Sequence, residues 1–396
     1  MRIGFMMISI IVLAAAAYSD TWEQTYGTDL PEQAFFSLVT EDGGILTCGI
    51  FIIDVSRAIT SSENAGGVDC MIVRTDSDRE VVWAGEYFSG PWVDLAVAGL
   101  ETDDDCFVFA GVTTTVKEGQ QNWIFKLDDH GEIVWERSVG TSNDDWTYDM
   151  IQSSDGGFLL AGYVDSLAGD GTVISILKTD AEGNEMWNRQ FGHAGTGMAE
   201  ALIEMENSDF LIIGSVENPN AGNYTVPFIM RVDSNGNEEW LETFPGQPGN
   251  CYPLDMVEMA GGNIMMTGYA ETKSGNRDAW AALVSPDGDL VDQWTYGEDM
   301  DDMAFSITSS PDGCVIAGST ASQGAGRMDL WLLCIDDSGE VQWSETHGGP
   351  GNEGAEHITP AAGGGFIVSG YTSSQGAGDT DMWVLKVDGE GRMESE

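Results

Sequence analysis

Positive charge is scarce in this chain, because 15 Lys and Arg residues stand against 66 Asp and Glu residues. The formal net charge is −51. Nucleic acids and anionic lipid headgroups bind proteins through clustered Lys and Arg side chains, and so negative a surface repels both. The composition therefore excludes nucleic acid and an anionic membrane surface as partners.

Residues that commonly carry catalysis are also few or scattered. The four histidines show no metal-ligand spacing, and no serine lies in a nucleophile elbow. Acidic side chains are so abundant that a pair for glycoside hydrolysis could be drawn from many combinations, which makes that signal weak. The sequence gives no catalytic set, and it favours a binding protein over an enzyme.

Long apolar runs are absent except at the N-terminus, where one covers residues 3–17 behind Arg2. Ala17 and Ser19 fit the small positions before a signal-peptidase cut. The run is shorter than the roughly 20 residues that span a bilayer. Residues 1–19 are therefore predicted to be a secretory signal peptide. The mature protein is predicted to be secreted, or located in the periplasm or cell envelope, without membrane insertion.

What the chain does contain is a repeat of about fifty residues. A clear copy begins at Trp135, passes through a turn at 155–157 and an apolar segment at 158–163, and ends before Trp187. The repeats begin at Trp22, Trp83, Trp135, Trp187, Trp240, Trp294 and Trp343. Such a period, with four short apolar runs in each copy, is typical of a β-propeller. The recurring tryptophans are predicted to lie on outer strands and to pack blade against blade.

The turn before each outer strand keeps a fixed spacing, as in Asp128, Gly131 and Trp135. Two copies depart from it. Arg79 stands where the first blade should have the turn glycine, and Asp292 stands in the tryptophan position of the fifth blade. Both departures are interpreted as variation that the repeat tolerates. The first blade also has an enlarged loop at 52–68.

The last repeat is incomplete, because Ser395 stands where its tryptophan belongs, whereas a spare outer strand surrounds Trp22. Pairing the two removes an unpaired edge from each. We therefore predict an all-β, seven-bladed β-propeller of four-stranded antiparallel blades in residues 20–396, closed by the N-terminal strand 21–27 against 382–387. The predicted blades cover about 28–88, 89–140, 141–192, 193–245, 246–297, 298–348 and 349–396.

Three phrases of the repeat resemble a known family. They are Gly-Gly-Pro-Gly-Asn-Glu at 348–353, Gly-Gly-Phe-Ile-Val-Ser-Gly-Tyr-Thr-Ser-Ser at 364–374, and Asp-Met-Trp-Val-Leu-Lys-Val-Asp at 381–388. In these the chain resembles the bacterial secreted β-propeller repeat (SBBP-type repeat) family, over essentially the whole length after the signal. The resemblance implies a propeller in an extracellular or envelope protein, and it implies no particular activity.

Strand direction decides which connections share a face of the propeller. The blade-to-blade connections and the loops between second and third strands lie on one face, the loop face, whereas the opposite turn face has only tight turns. Function is expected on the loop face and at the tunnel mouth. The candidate binding residues on this face are Trp92, Trp146, Asp144, Asp145, Asp301, Asp302 and Glu353.

Four carboxylates lie near the starts of inner strands, namely Asp149, Glu200, Asp255 and Glu356. A ring of carboxylates around a tunnel could hold Ca²⁺ through oxygen ligands. The alternative is a hydrated acidic tunnel without a fixed ion. No cofactor is expected to be required, and Ca²⁺ is the one ion under consideration.

The six cysteines allow many pairings, and the blade positions narrow them. The pairs expected to lie close together are Cys48–Cys70 in the first blade and Cys314–Cys334 in the sixth, where the latter two are predicted to lie opposite each other. Either pair could form a disulfide if both side chains share a face. Cys106 and Cys251 lie nearly across the ring and should not pair. The alternative is that all six stay reduced.

Together these features favour a secreted, non-enzymatic, monomeric propeller that binds an extracellular protein or a glycan through its acidic loop face. One alternative is an enzyme acting on extracellular polysaccharide, with carboxylates at the tunnel mouth. Another is a purely structural envelope component.

Overall fold

The computed structural model describes residues 11–14, 21–52, 67–90, 92–166, 171–192, 196–218, 224–244 and 249–393. Every named element in these segments is a β-strand. No helix with the length and apolar character to cross a bilayer occurs in them. The strands form seven antiparallel sheets, which are the blades of a β-propeller.

The strands follow one another in chain order. β1 (Ile11–Ala14) and β2 (Trp22–Gly27) precede the first complete blade. Blade one consists of β3 (Glu32–Val39), β4 (Ile45–Ile52), β5 (Val68–Thr75) and β6 (Val81–Tyr87). Blade two consists of β7 (Asp94–Thr102), β8 (Cys106–Thr115), β9 (Gly119–Leu127) and β10 (Ile133–Val139). Blade three consists of β11 (Asp145–Gln152), β12 (Phe158–Asp165), β13 (Thr172–Thr179) and β14 (Glu185–Phe191).

The remaining blades repeat the pattern. Blade four consists of β15 (Gly197–Glu204), β16 (Phe210–Asn218), β17 (Tyr224–Val232) and β18 (Glu238–Thr243). Blade five consists of β19 (Cys251–Glu258), β20 (Ile264–Glu271), β21 (Arg277–Val284) and β22 (Leu290–Tyr296). Blade six consists of β23 (Asp302–Ser310), β24 (Gly313–Thr320), β25 (Asp329–Ile335) and β26 (Val341–His347). Blade seven contains β27 (Glu353–Pro360), β28 (Phe366–Thr372) and β29 (Asp381–Val387).

The fourth strand of blade seven comes from the other end of the chain. β2 pairs antiparallel with β29, from Trp22 opposite Lys386 to Tyr26 opposite Met382. This confirms the predicted closure by the N-terminal strand. β1 adds a fifth strand outside β2. Cleavage of the predicted signal peptide would remove β1 and leave the four strands of blade seven in place.

The hydrophobic core lies between neighbouring blades. One cluster joins Phe36 and Trp83 of blade one to Phe109 and Phe125 of blade two. The other clusters join successive blades in the same way around the ring. Because alternate residues of a strand face opposite sides, each blade presents an apolar surface to both neighbours.

Each repeat tryptophan packs against the following blade, as the sequence predicts, and it covers the tight turn there. A β-carbon placed on Gly391 would lie 2.5 Å from the ring of Trp343, and Gly391 has a φ of +75°. Glycine meets both demands, since it accepts the left-handed backbone and leaves room for the ring. The equivalent pairs are Trp83–Gly131, Trp135–Gly183, Trp187–Gly236, Trp240–Gly288 and Trp294–Gly339.

The seventh such contact lies at the junction between blades seven and one, which we call the seam. There Arg79 takes the glycine position with a φ of 69°, and its Cζ lies 5.5 Å from the ring centre of Trp22. Left-handed backbone strains a non-glycine residue by about 1–3 kcal/mol, and the stacked guanidinium offsets part of that cost. Arg79 therefore has a defined role at the seam, in contrast to the interpretation from sequence.

Every inner strand carries a β-bulge at the same point. In blade three, for example, Thr147 pairs with Gly162 and Asp149 with Ala161, so that Tyr148 has no partner. The unpaired residues of the seven blades are Phe35, Val97, Tyr148, Glu200, Leu254, Phe305 and Glu356. A bulge redirects the side chains beyond it, so consecutive inner-strand residues have very different surroundings.

The cysteine positions correct one of the predicted pairs. Cys314 lies opposite Ile335 and Cys334 opposite Val315, so the two side chains project from opposite faces of blade six. They belong to different inter-blade clusters and cannot share a disulfide. Sequence spacing misplaces this register by one residue, which reverses the face.

Cys48 and Cys70 do share a face of blade one, with their sulfur atoms 3.6 Å apart. They are diagonal neighbours, since Cys48 lies opposite Ile72 and Cys70 opposite Ile50. Diagonal partners have Cα atoms about 7–8 Å apart. That separation exceeds the usual disulfide range of about 4.4–6.8 Å.

We expect all six cysteines of the folded protein to be thiols. Five of them are buried, whereas Cys106 is half-buried. Ellman's reagent should therefore modify about one thiol in the native protein and all six after unfolding in denaturant. Peptide mapping without reduction provides the second measurement. A Cys48–Cys70 bridge in that map would contradict the expectation and require a local shift of β4 against β5.

Candidate ligand-binding site

Three of the predicted binding carboxylates do not face solvent. Asp145, Asp302 and Glu353 are buried, and each is the first residue of its inner strand. Each carboxylate accepts a hydrogen bond from the main-chain N–H four residues earlier, at 2.7 Å from Thr141 and at 2.9 Å from Glu298 and Gly349. One oxygen of each carboxylate thus holds a blade-to-blade connection, and contact of these three residues with a ligand stays a prediction.

The two carboxylates that precede them have a related role. Asp144 accepts a hydrogen bond from the N–H of Gln120 at 2.8 Å, and Asp301 accepts one from the N–H of Arg277 at 2.9 Å. Both donors lie in the third strand of the preceding blade. Asp144 and Asp301 are half-buried, so they tie neighbouring blades together while remaining partly accessible from the loop face.

The two candidate tryptophans have different surroundings. Trp92 is 51% exposed on the connection between blades one and two, where its carbonyl accepts a hydrogen bond from the N–H of Val68 at 3.0 Å. Trp146 is half-buried on inner strand β11 among other aromatic rings. Only Trp146 belongs to a side-chain cluster that a ligand could share.

Three aromatic rings meet on blade three. Trp146 lies directly opposite Tyr163, with ring planes inclined by 2° and centres 6.3 Å apart. Tyr148, the bulged residue, lies 5.9 Å from Tyr163 and 6.3 Å from Trp146. All three are half-buried, so their rings remain partly open to solvent.

Blade five has an aromatic pair at the same position of the repeat. Tyr252 lies opposite Tyr269 with ring centres 5.1 Å apart. The guanidinium of Arg277 lies over Tyr269, with Cζ 5.4 Å from the ring centre. Stacked and tilted aromatic pairs of this kind are stiff, and they present an extended apolar surface.

Glu200 of blade four lies between these two groups. Burial raises the pKa of Tyr148 and Tyr163 on one side and of Tyr269 on the other, and the negative charge of Glu200 raises each of them further. Burial also raises the pKa of Glu200 itself to about 8. We call Trp146, Tyr148, Tyr163, Glu200, Tyr252 and Tyr269 the Glu200 cluster.

The raised pKa of Glu200 determines which hydrogen bonds its side chain can form. Below pH 8 its carboxyl group is mainly protonated, so it can both donate and accept a hydrogen bond. No hydrogen bond from another side chain or from the main chain occupies it in the described part of the protein. The cluster therefore combines two apolar stacking surfaces with one free polar group, as small ligand sites generally do.

The four carboxylates predicted to bind calcium fall into two pairs. Asp149 and Asp255 reach the next blade, where they accept hydrogen bonds from the N–H of Leu202 at 2.9 Å and of Ile307 at 2.8 Å. Burial raises the pKa of Asp149 to about 6 and that of Asp255 to about 7. These two carboxylates hold blade three to blade four and blade five to blade six.

Glu200 and Glu356 are the bulged members of the four. Glu356 accepts a hydrogen bond from Nε2 of Gln33 at 2.8 Å, and burial raises its pKa to about 7. Among the described residues, the group of three ligand side chains within coordination distance is Asp128, Asp129 and His130, on a turn of blade two. It contains none of the four predicted ligands, and calcium binding by those four stays a prediction.

The sequence-based site does not include the four tyrosines of the Glu200 cluster, although the sequence contains a pattern that could have identified them. A Gly-Tyr pair ends the apolar part of the second strand at 162–163, 268–269 and 370–371. Trp146 and Tyr252 lie opposite two of these tyrosines, whereas Gly354 lies opposite the third. Comparison of inner and second strands at matched positions would have identified the two aromatic pairs.

Solved propellers share this architecture at low identity. The WD40 β-propeller domain of Doa1 is 12% identical, with a TM-score of 0.51 over 91% of this chain and 98% of that chain. The α-L-arabinofuranosidase Arb93A from Fusarium graminearum is 12% identical, with a TM-score of 0.46 over 79% and 93%. Drosophila plexin A, solved in complex with semaphorin 1b, is 9% identical, with a TM-score of 0.47 over 91% and 88%.

No protein-family model matches the sequence, and no curated protein matches it either. At these identities the likeness to solved structures shows the propeller fold alone. The fold serves proteins of different kinds, so the function has to be argued from the site.

Proposed function

We propose that this protein is a secreted, monomeric, non-enzymatic propeller that binds a glycan at the Glu200 cluster on its loop face. The observation that supports this most is the placement of two aromatic groups, on blades three and five, on either side of Glu200. Sugar rings have apolar faces that stack on aromatic side chains and hydroxyl groups that hydrogen-bond to carboxyl groups.

The charge of the site favours an uncharged glycan. A protein with a net charge of −51 repels anionic polysaccharides, and Glu200 is itself mainly neutral below pH 8. Two stacking surfaces separated by one blade suit a ligand of several sugar rings better than a single monosaccharide. The predicted membership in the secreted repeat family and the removal of residues 1–19 belong to the same proposal.

Binding should be lost when either aromatic group is removed. We expect Trp146→Ala and Tyr252→Ala to weaken retention on neutral polysaccharides at least tenfold, since an aromatic anchor contributes more than about 1.4 kcal/mol. Trp92→Ala is the control, because Trp92 is an exposed tryptophan outside the cluster. Affinity electrophoresis over a polysaccharide panel gives the measurement. Loss of retention in Trp92→Ala with unchanged retention in Trp146→Ala would place the site elsewhere.

The alternative of a polysaccharide-cleaving enzyme has one observation in its favour. A half-buried carboxyl group with a raised pKa, such as that of Glu200, can act as a general acid. Most glycosidases need a second carboxylate about 5–10 Å away. An assay for new reducing ends decides between the two functions. Release of reducing ends that disappears in Glu200→Gln would identify an enzyme, whereas retention without release supports binding.

A further inference from the structure

Two buried carboxylates face each other at the seam, far around the ring from the Glu200 cluster. Glu32 is the first residue of β3 and Asp381 the first residue of β29, and both are buried. A β-carbon placed on Gly27 would lie 2.0 Å from Oδ1 of Asp381 and 3.0 Å from Oε2 of Glu32. The glycine thus leaves open a space that both carboxylates border.

One of these oxygens has no hydrogen-bond partner. Oε1 of Glu32 accepts hydrogen bonds from Thr28, and the oxygens of Asp381 accept them from the N–H groups of Ala377 and Gly378. Oε2 of Glu32 has none, although Glu32 is only 1% exposed. A buried carboxylate oxygen left unpaired costs more than about 1–3 kcal/mol, so a binding partner is expected there.

The charges around the pair make a cation the fitting partner. The charged groups that act on Glu32 are Asp381 and Asp29, and both are anionic. The main-chain carbonyl oxygens of Thr28 and Leu30 lie beside Gly378, on the connection and loop that the two carboxylates hold in place. Carboxylate and carbonyl oxygens are the ligands that Ca²⁺ prefers, and water completes its coordination.

Acidic pairs also occupy the matching positions at three other junctions, namely Asp69 and Asp94, Asp278 and Asp302, and Asp329 and Glu353, whereas the three remaining junctions lack such a pair. Their matching positions are Val173 and Gly197 between blades three and four, and Val226 and Cys251 between blades four and five. Between blades two and three they are Gln121 and Asp145, which border Gly140. At the other three acidic junctions both oxygens of the inner-strand carboxylate accept hydrogen bonds, as in Asp94, Asp302 and Glu353. The seam differs from them because Oε2 of Glu32 accepts none.

We propose that Glu32 and Asp381 form a calcium site that fastens the seam between blades seven and one. Bound calcium would neutralise the negative charges of the two facing carboxylates and link β29 to the connection that follows β2. The site is independent of glycan binding and uses none of the residues first predicted to bind calcium.

The test compares melting temperatures of metal-free full-length protein with and without 1 mM CaCl₂ in 150 mM KCl. Calcium should raise the melting temperature of the wild type, because a ligand of the folded state stabilises it by mass action. Glu32→Gln and Asp381→Asn should lose most of that rise and bind calcium at least tenfold more weakly in calorimetry. Asp145→Asn is the matched control, because Asp145 has the same strand position opposite a neutral Gln121, and it should keep the rise.

Three results would overturn the site. The first is a calcium response in Glu32→Gln equal to that of the wild type. The second is an equal response of the wild type to MgCl₂, which would mean charge screening by divalent ions. The third is a wild type that ignores calcium while Glu32→Gln is more stable than it, which would mean that the pair shares a proton. Glycan retention by Glu32→Gln should be unchanged, so failure of this site leaves the proposed function intact.

Discussion

A chain that lacks residues 21–27 is expected to aggregate or to melt far below the full-length protein. The deletion removes β2, so β29 becomes an exposed edge strand with unpaired main-chain groups. It also removes Tyr26, which is buried among Met382, Val384 and residues of blade one. Loss of a buried aromatic ring alone costs about 3–5 kcal/mol. Because a propeller closes through all of its blades, this loss affects the whole ring.

The matched control is a chain that begins at residue 20 and keeps β2. Size-exclusion chromatography and thermal melting should show a monomer that is as stable as the full-length protein. A second measurement adds a synthetic peptide of residues 20–28 to the refolding truncated chain, where it should restore part of the lost stability. A truncated protein that stays monomeric with an unchanged melting temperature would contradict closure by β2.

Raising the pH from 5 to 8 is expected to lower the stability of the folded protein. Burial raises the carboxyl pKa of Glu32, Asp69, Asp255 and Glu356 to about 7. Unfolded carboxyl groups titrate near pH 4. Between these values the folded state binds more protons than the unfolded state, so stability decreases as pH rises. The stabilisation by these four carboxyl groups is complete below about pH 4 and is lost as pH passes 7.

The expected fall is on the order of 3 kcal/mol, since two of these four side chains, Asp255 and Glu356, are half-buried and partly screened by solvent. His357 acts in the opposite sense, because burial lowers its pKa to about 4 and its contribution is lost as pH falls below about 6.5. The contribution of this one histidine does not reverse the loss of stability that the several carboxyl groups produce. Chemical denaturation at pH 5, 6, 7 and 8 gives the measurement.

Ionic strength separates this effect from general charge repulsion. The repulsion that follows from a net charge of −51 is screened at 1 M NaCl, whereas the titration of buried groups is not. The pH slope should therefore persist at high salt and become shallower in Asp255→Asn. A flat or rising profile at 1 M NaCl would refute the contribution of buried carboxyl groups.

The repeat made the architecture predictable, because each copy contains its own turn signal and its own tryptophan. The closing strand followed from a missing tryptophan at Ser395 and a surplus one at Trp22. The register in which neighbouring strands pair was harder to predict from the sequence. Cys314 and Cys334 differ by one position from a directly opposite pair, and one position reverses the face of a strand.

The site was less predictable for two physical reasons. A carboxylate that holds the connection before it, such as Asp145, has the same appearance in sequence as one that binds a ligand. The bulge in each inner strand then gives consecutive residues different surroundings. Glu200 and Asp149 stand one position apart in the repeat, so Asp149 binds the next blade while Glu200 lies between the aromatic groups.

The antiparallel pairing at the seam also determines how the molecule could be displayed. Trp22 lies opposite Lys386, so β2 begins and β29 ends at the same end of the sheet, on the turn face. A tag, tether or fusion partner joined at either end of the propeller would sit on that side. A molecule immobilised through either end would expose the Glu200 cluster to the surrounding solution, away from the support.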